Sequence, residues 1–161
     1  MPISQVVVNA SPLIALFKSG QADLLPQLFE EIVVPQGVWE EVTTSKPNDV
    51  AAQQLKTVPW VRQVQSLVTP VVAAWDLGKG ESEVLSWVTE HPSYAAIVDD
   101  LAARRCAASL GLTVLGTGSI LLLAKRRGLI PTIKPRLQAL KDAGLYLSDK
   151  LVELLVNQAE E

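Results

Sequence analysis

Apolar residues alternate along the chain between two kinds of segment. Four short runs rich in valine and isoleucine are continuous rather than alternating, as is typical of strands covered on both faces. These runs lie at positions 6–8, 31–35, 95–100 and 112–116. The segments between them, such as PLIALFKSG and GESEVLSWVTEH, have helical spacing. The alternation predicts an α/β domain with a mainly parallel central sheet.

The remaining segments extend this pattern. Residues 44–55 suggest a loop and a short helix, and residues 58–64 a further strand. The last part of the chain predicts two closing helices at about 132–158, with Gly144 ending the first and Ser148 capping the second. A chain of 161 residues is the usual size of one domain, so we expect a single domain over residues 1–161.

Composition narrows the class of protein. Hydrophobic residues make up 48% of the chain and charged residues 19%, which is typical of a globular domain. The net charge of -3 gives no general attraction to nucleic acid. The single cysteine excludes an internal disulfide and suits a reducing compartment. With no signal-peptide pattern at the N-terminus and no long apolar run, we expect a cytoplasmic protein without a membrane span.

Polar residues follow two of the predicted strands. Asn9 ends the first, and Asp99 and Asp100 end the third. Open parallel sheets bind ligands beyond the carboxyl ends of their strands, so these side chains are candidates for a site. Because Ser11 can cap the next helix, with Pro12 in its first turn, we expect Asn9 to point into the crevice.

Helical phase selects two further acids. Glu41 lies beside Val38 and Val42 on the apolar face of its predicted helix, whereas Glu40 faces outward. The same count places Glu81 inward and Glu83 outward on the next amphipathic helix.

A carboxylate on an apolar face is costly unless it is paired or binds a metal. Glutamates 41 and 81 with the strand-end aspartates therefore predict a site for Mg²⁺ or Mn²⁺ and metal-assisted phosphodiester hydrolysis. Simpler structural roles stay open for each acid. Asp100 can be a helix N-cap, Glu81 can favour a helix dipole, and Glu41 can extend to solvent near a helix end.

The sequence contains, in this order, the motifs NASPLI, VPQGVWEEV, GKGESEVLSWV and IVDDLAARRCAASLGLTVLGTGSILLLAKRRGLIP. In the order and spacing of these motifs, the chain resembles a prokaryotic subgroup of the PIN-domain superfamily over about residues 5–155. The resemblance implies a three-layer α/β/α sandwich and a Mg²⁺- or Mn²⁺-dependent ribonuclease. It also implies RNA as substrate, the toxin of a toxin–antitoxin pair with an antitoxin as partner, and a homodimer.

The resemblance also implies the identity of the site residues. The superfamily's first acid falls at Asn9, and its hydroxyl residue falls at Ser11. The later acids fall at Glu41, Glu81 and Asp99, with Asp100 as a neighbour. Asn9 departs from the family pattern because an amide carries no negative charge to offset a cation.

Substrate contacts are predicted from nearby cations. Arg104 and Arg105 follow the aspartate pair and are candidates for binding a phosphate. The basic stretch 125–127 is explained by the end of a helix, and the GTG at 116–118 suggests a turn, since it lacks the rest of a phosphate loop. Trp75 is the tryptophan best placed to stack a base.

Three functions are compatible with these residues. A nuclease would cleave RNA with a metal, whereas a PIN fold disarmed by Asn9 would bind nucleic acid or protein without cleaving. A phosphorylated receiver domain fits less well, because its acids would not come from helices at 41 and 81.

Overall fold

The computed structural model describes residues 2–161, which contain one five-stranded sheet. The strands lie in the order β3-β2-β1-β4-β5, and every neighbouring pair is parallel. Their bounds are β1 Gln5–Val8, β2 Glu31–Pro35, β3 Val61–Val64, β4 Ala95–Ile97 and β5 Val114–Leu115.

Ten helices in the described part of the chain flank this sheet and complete a three-layer α/β/α fold. The prediction of a three-layer α/β/α sandwich with a mainly parallel central sheet is confirmed. The helices are α1 Ala10–Lys18, α2 Leu24–Leu28, α3 Gln36–Thr44, α4 Val50–Leu55, α5 Pro70–Ala73, α6 Lys79–Glu90, α7 Leu101–Ser109, α8 Thr117–Arg126, α9 Lys134–Asp142 and α10 Asp149–Gln158. The short helix α5 is not foreseen by the apolar pattern.

The centre of the sheet explains why its strands read as continuous apolar runs. Strand β1 pairs with β2 on one side and with β4 on the other. Its three valines at positions 6–8 are fully buried, because helices cover both faces of the sheet. The first strand of the chain is thus the central strand of the sheet, and its carboxyl end lies between the carboxyl ends of β2 and β4.

The helix ends agree with the sequence in part. Ser148 caps α10 by accepting a hydrogen bond from the Leu151 N–H at 3.1 Å, as predicted. At α1, however, the predicted cap is wrong. The N-cap is Asn9, and its side chain makes no capping bond, while Ser11 lies inside the first turn. The helix begins two residues earlier than a Ser-Pro cap would require.

The GTG segment also differs from the prediction. Gly116 is the N-cap of α8, and Thr117 and Gly118 form its first turn rather than a separate turn. A Cβ on Gly118 would lie only 2.4 Å from the Leu155 side chain, so the glycine permits close packing of α8 on α10. Within residues 2–161, no helix is long and apolar enough to cross a bilayer.

Candidate metal centre

A cleft of about 800 Å³ opens at the carboxyl ends of the central strands. The Asn9 N–H donates to the Ile97 carbonyl oxygen at 3.1 Å, so the ends of β1 and β4 lie side by side. The polar side chains that line the cleft include Asn9, Ser11, Glu81, Asp99, Asp100 and Arg104. The cleft thus lies at the edge of the sheet where the sequence predicts a site.

Asn9 is nearly buried, with 7% of its surface exposed. Its Oδ1 atom lies 3.6 Å from the position that a Cβ on Gly80 would occupy, and Glu41 Oε1 lies 3.5 Å from the same position. The absence of a side chain at Gly80 thus leaves a space that the amide and the carboxylate share. Asn9 and Glu41, 32 positions apart in the chain, are brought together as the sequence predicted.

Glu81 is half-buried at the start of α6 and faces Asp100. Burial raises the pKa of Glu81 to about 7, with further contributions from the charge of Asp100, a hydrogen bond between the two carboxyl groups and the charge of Glu41. The Glu81 Oε2 atom is covered and has no hydrogen-bond partner within the described chain. Three acids therefore influence one another at this point of the cleft.

Asp99 is held by a residue that the sequence analysis did not identify. The Thr117 N–H donates to Asp99 Oδ1 at 2.8 Å, and the Thr117 hydroxyl donates to Asp99 Oδ2 at 2.5 Å. The threonine is fully buried at the start of α8. Both bonds favour a single orientation of the carboxylate. In the sequence, only the position of Thr117 after an apolar strand and before an apolar helix could have indicated that it holds Asp99.

Asp100 has the structural role that the sequence left open. Its Oδ2 atom accepts a hydrogen bond from the Ala103 N–H at 3.0 Å, so it caps α7. The same side chain contacts Glu81 in the cleft. The helix cap and a place in the acidic cluster are therefore combined in one residue.

The predicted orientations of two glutamates are wrong. Glu41 is exposed and is not among the residues that line the cleft in the described part of the chain, whereas Glu83 is 5% exposed instead of facing outward. Ser86, on the same side of α6 as Glu83, is fully buried. The helical wheel assumed that α6 has one covered face, but α3 and the segment after β3 cover a second one. Glu40 does face solvent, where it pairs with Lys79 at 3.7 Å.

Of the two candidate arginines, the structure brings one into the cleft. Arg104 Nη1 donates to the Val98 carbonyl oxygen at 3.2 Å and lies 3.0 Å from the position of a Cβ on Gly116. Asp99 Oδ1 lies 3.3 Å from that same position, so the guanidinium and the carboxylate are neighbours. Arg105 is exposed and is absent from the cleft lining in the described part of the chain.

The other candidate contacts are structural or lie elsewhere. Lys125 donates to the Ala159 carbonyl oxygen and to Glu161, and Arg127 donates to the Leu28 carbonyl oxygen at 2.8 Å. These bonds support the structural explanation of the basic helix end. Trp75 is partly exposed and does not line the cleft, as far as residues 2–161 show.

The oxygen atoms of the cleft are potential ligands for a divalent cation. Across residues 2–161, no three acidic, histidine or cysteine side chains converge into a ready-made coordination group. The chemistry of the cleft nevertheless fits a hard cation, because carboxylate and amide oxygens are its preferred ligands. A bound cation would give the unpartnered oxygen of Glu81 a ligand and would lower the raised pKa of this carboxyl group.

A second depression of about 620 Å³ lies at the opposite end of the strands, near the starts of β2 and β3. Two glutamates, Glu30 and Glu31, line it, and Glu31 is already paired with Gln5 at 2.8 Å and with Arg62 at 2.8 Å. Tyr94 also hydrogen-bonds Glu31, which together with the Gln5 bond lowers the pKa of this glutamate. The paired carboxylate has a structural role, so the acidic cleft is the stronger candidate.

The family model DUF3368, described as a PIN domain, matches residues 5–161. No curated protein matches the chain.

Proposed function

The chain belongs to the PIN-domain family, and from that premise we propose that it is a metal-dependent ribonuclease. The observation that carries the proposal is the acidic cleft, where Glu81, Asp99 and Asp100 meet Asn9 beyond the ends of the central strands. PIN domains generally use divalent metals and commonly bind RNA. A cluster of hard oxygen donors in a cleft of this size is suited to both.

Glu81, Asp99 and Asp100 would hold the cation, with Glu41 and Asn9 beside them at the edge of Gly80. A bound Mg²⁺ or Mn²⁺ would supply a Lewis acid and a water of lowered pKa for attack on a phosphodiester. Thr117 contributes by holding Asp99 in one orientation before any ligand arrives. Asp100 is fixed in turn by the α7 backbone.

Two other groups in the cleft are suited to the phosphate of the substrate. The Arg104 guanidinium lies next to Asp99 and presents N–H donors to an anion. Ser11 is exposed in the first turn of α1, where free backbone N–H groups and the helix dipole favour negative charge. Binding of the phosphate between these groups would place it beside the carboxylates.

The biological setting proposed here follows from the family. We infer a cytoplasmic toxin of a toxin–antitoxin pair that acts on RNA, associates as a homodimer and is restrained by an antitoxin protein. The single cysteine, Cys106, is buried and unpaired, which is compatible with a reducing compartment. We propose one domain for the whole chain, closed by α9 and α10.

Cleavage of a labelled single-stranded RNA tests the proposal. The parent protein should cleave it with Mn²⁺ and stop with EDTA, and Asp99→Asn should abolish cleavage while the circular dichroism spectrum is unchanged. Asp142→Asn is the matched control, because Asp142 is exposed at the end of α9. Equal cleavage by the parent and Asp99→Asn would contradict the assignment of this cleft.

A second function is favoured by Asn9. Its amide supplies no charge, and the acids of residues 2–161 do not form a ready-made metal group. A binding module would retain the same RNA with equal affinity in Mn²⁺ and in EDTA, and would leave it uncut. The cleavage assay and a binding titration in both buffers separate the two functions.

A further inference from the structure

Glu83 is a buried carboxylate outside the cleft. It lies two residues beyond Glu81 on α6, so the two side chains point to different sides of the helix. Only 5% of Glu83 is exposed. Its Oε1 atom accepts a hydrogen bond from the Gly37 N–H at 3.0 Å, and its Oε2 atom has no partner within residues 2–161.

The partner of Glu83 is the start of α3. Gly37 is the second residue of that helix, where backbone N–H groups have no intrahelical acceptor. The N-cap residue is Pro35, whose side chain cannot accept a hydrogen bond. Glu83 therefore supplies, from another helix, the acceptor that α3 lacks, and its negative charge suits the positive end of the helix dipole.

Two glycines make the contact between these helices close. A Cβ on Gly37 would lie 2.1 Å from Glu83 Oε2, so any other residue would displace the carboxylate. A Cβ on Gly80 would lie 3.2 Å from Val38 Cγ2. At both points α3 and α6 approach at a distance that leaves no room for a side chain.

These helices carry two of the acids proposed to act on a cation. Glu41 is on α3, four residues after Gly37, and Glu81 is on α6, two residues before Glu83. The bond between Glu83 and Gly37 therefore joins the two acid-bearing helices near both acids. An apolar pair would join them without the cost of burying a carboxylate, so a buried acid here calls for a specific reason.

We propose that Glu83 is a positioning residue of the cation site, which fixes α3 against α6 and so sets the separation of Glu41 from Glu81. The inference rests on the proposed function, because it assigns a purpose to that separation. Glu83 does not touch the cation or the RNA. It acts through the backbone of α3.

Calorimetric titration of Mn²⁺ into the full chain tests this role. Glu83→Ala removes the acceptor and should weaken binding by about tenfold or more, as is usual when a group supporting a metal ligand is lost. Glu83→Gln keeps an acceptor oxygen and should restore the parent affinity. Glu90→Ala is the matched control, because Glu90 is an exposed glutamate on the same helix.

A double-mutant cycle separates positioning from general destabilisation. If Glu83 acts through Glu41, the loss of Mn²⁺ affinity caused by Glu83→Ala should disappear in a Glu41→Ala background. Given that the parent binds Mn²⁺, an equal loss in both backgrounds, or no loss in either, would overturn the proposal. Gly37→Ala is a second way to break the bond if Glu83→Ala does not fold, and it should give the same non-additive result.

Crystal structures of the cation-free parent and Glu83→Ala distinguish this inference from the proposed function. Absence of Mn²⁺ binding by the parent would contradict the proposed function alone. A wider separation of the Glu41 and Glu81 carboxylates in Glu83→Ala than in the parent would still support the positioning role. An unchanged separation would refute it whether or not the parent binds Mn²⁺.

Discussion

Replacing Asn9 with aspartate adds one negative charge to the cleft without changing the size of the side chain. Asn9 Oδ1 lies 3.6 Å and Glu41 Oε1 lies 3.5 Å from the position of a Cβ on Gly80, so these two oxygen atoms are at most about 7 Å apart. Two like charges at that distance repel by about 0.6 kcal/mol in bulk water and by about 2.4 kcal/mol at an effective dielectric constant of about 20. Since Asn9 is buried and Glu41 is exposed, we expect an intermediate value of about 1.5 kcal/mol.

The expected result changes sign when a cation is present. Without metal, Asn9→Asp should lower the Tm by about 3–6 °C, because 1 kcal/mol corresponds to roughly 2–4 °C for a domain of this size. With a divalent cation the same added charge is attractive and acts on twice the charge, so Mn²⁺ affinity should rise by about tenfold or more. RNA cleavage should rise with the occupancy of the site.

Thermal unfolding in EDTA and in Mn²⁺, with calorimetry for the affinity, measures both effects. Asn157→Asp is the control, because it adds the same charge at an exposed position of α10. An Asn9→Asp protein with the parent Tm in EDTA and the parent Mn²⁺ affinity would refute the reasoning, since Asn9 would then have no electrostatic contact with the site. Cleavage as fast in the parent as in Asn9→Asp would show that the amide does not limit activity.

Three further predictions concern other parts of the cleft. Thr117→Val removes the hydrogen bond from the threonine hydroxyl to Asp99, and the free energy of unfolding measured in urea should fall by about 1.5–3 kcal/mol, the usual value for a bond to a charged group. Mn²⁺ affinity should fall as well. Because the pKa of Glu81 is about 7 in the cation-free fold, Mn²⁺ affinity should rise with pH between about 6 and 8. The free energy of unfolding of the cation-free protein should fall as pH rises from the ordinary carboxyl pKa of 4.5 through 7, because the folded state keeps the proton longer than the unfolded state. Glu81→Gln should remove this pH dependence. Arg104→Ala should weaken RNA binding in EDTA and raise KM, while Arg105→Ala should bind RNA like the parent; equal losses in both variants would contradict a phosphate site at Arg104.

The strands, and the polar side chains that meet at their carboxyl ends, could be predicted from local patterns. Buried parallel strands need continuous apolar residues, and β1 shows this in its three valines. Asn9 follows β1 directly and Asp99 follows β4 after one further residue, so their meeting at one edge of the sheet followed from strand direction alone. The order of the motifs then predicted the family that the family model confirms.

The remaining features depend on contacts between distant parts of the chain. The bond from Thr117 to Asp99 spans 18 residues, and the bond from Gly37 to Glu83 spans 46, so no local pattern contains either. The helical wheel failed for Glu83 because it describes one helix and cannot show that a second helix end will cover its other side. Glu41 was misjudged for the related reason that an apolar neighbourhood on a helix does not by itself bury a carboxylate.

The order in which the cleft acquires its parts has a consequence during synthesis. Asn9 leaves the ribosome before Asp99 and Thr117, yet the strand that precedes Asn9 needs β4 as a neighbour and Asp99 needs Thr117 to hold it. The nascent chain therefore has no assembled cleft until Thr117 has emerged, and domains generally complete folding as units. With ribonuclease activity as proposed, the ribosome and the messenger RNA meet no assembled active site before Thr117 has been synthesised.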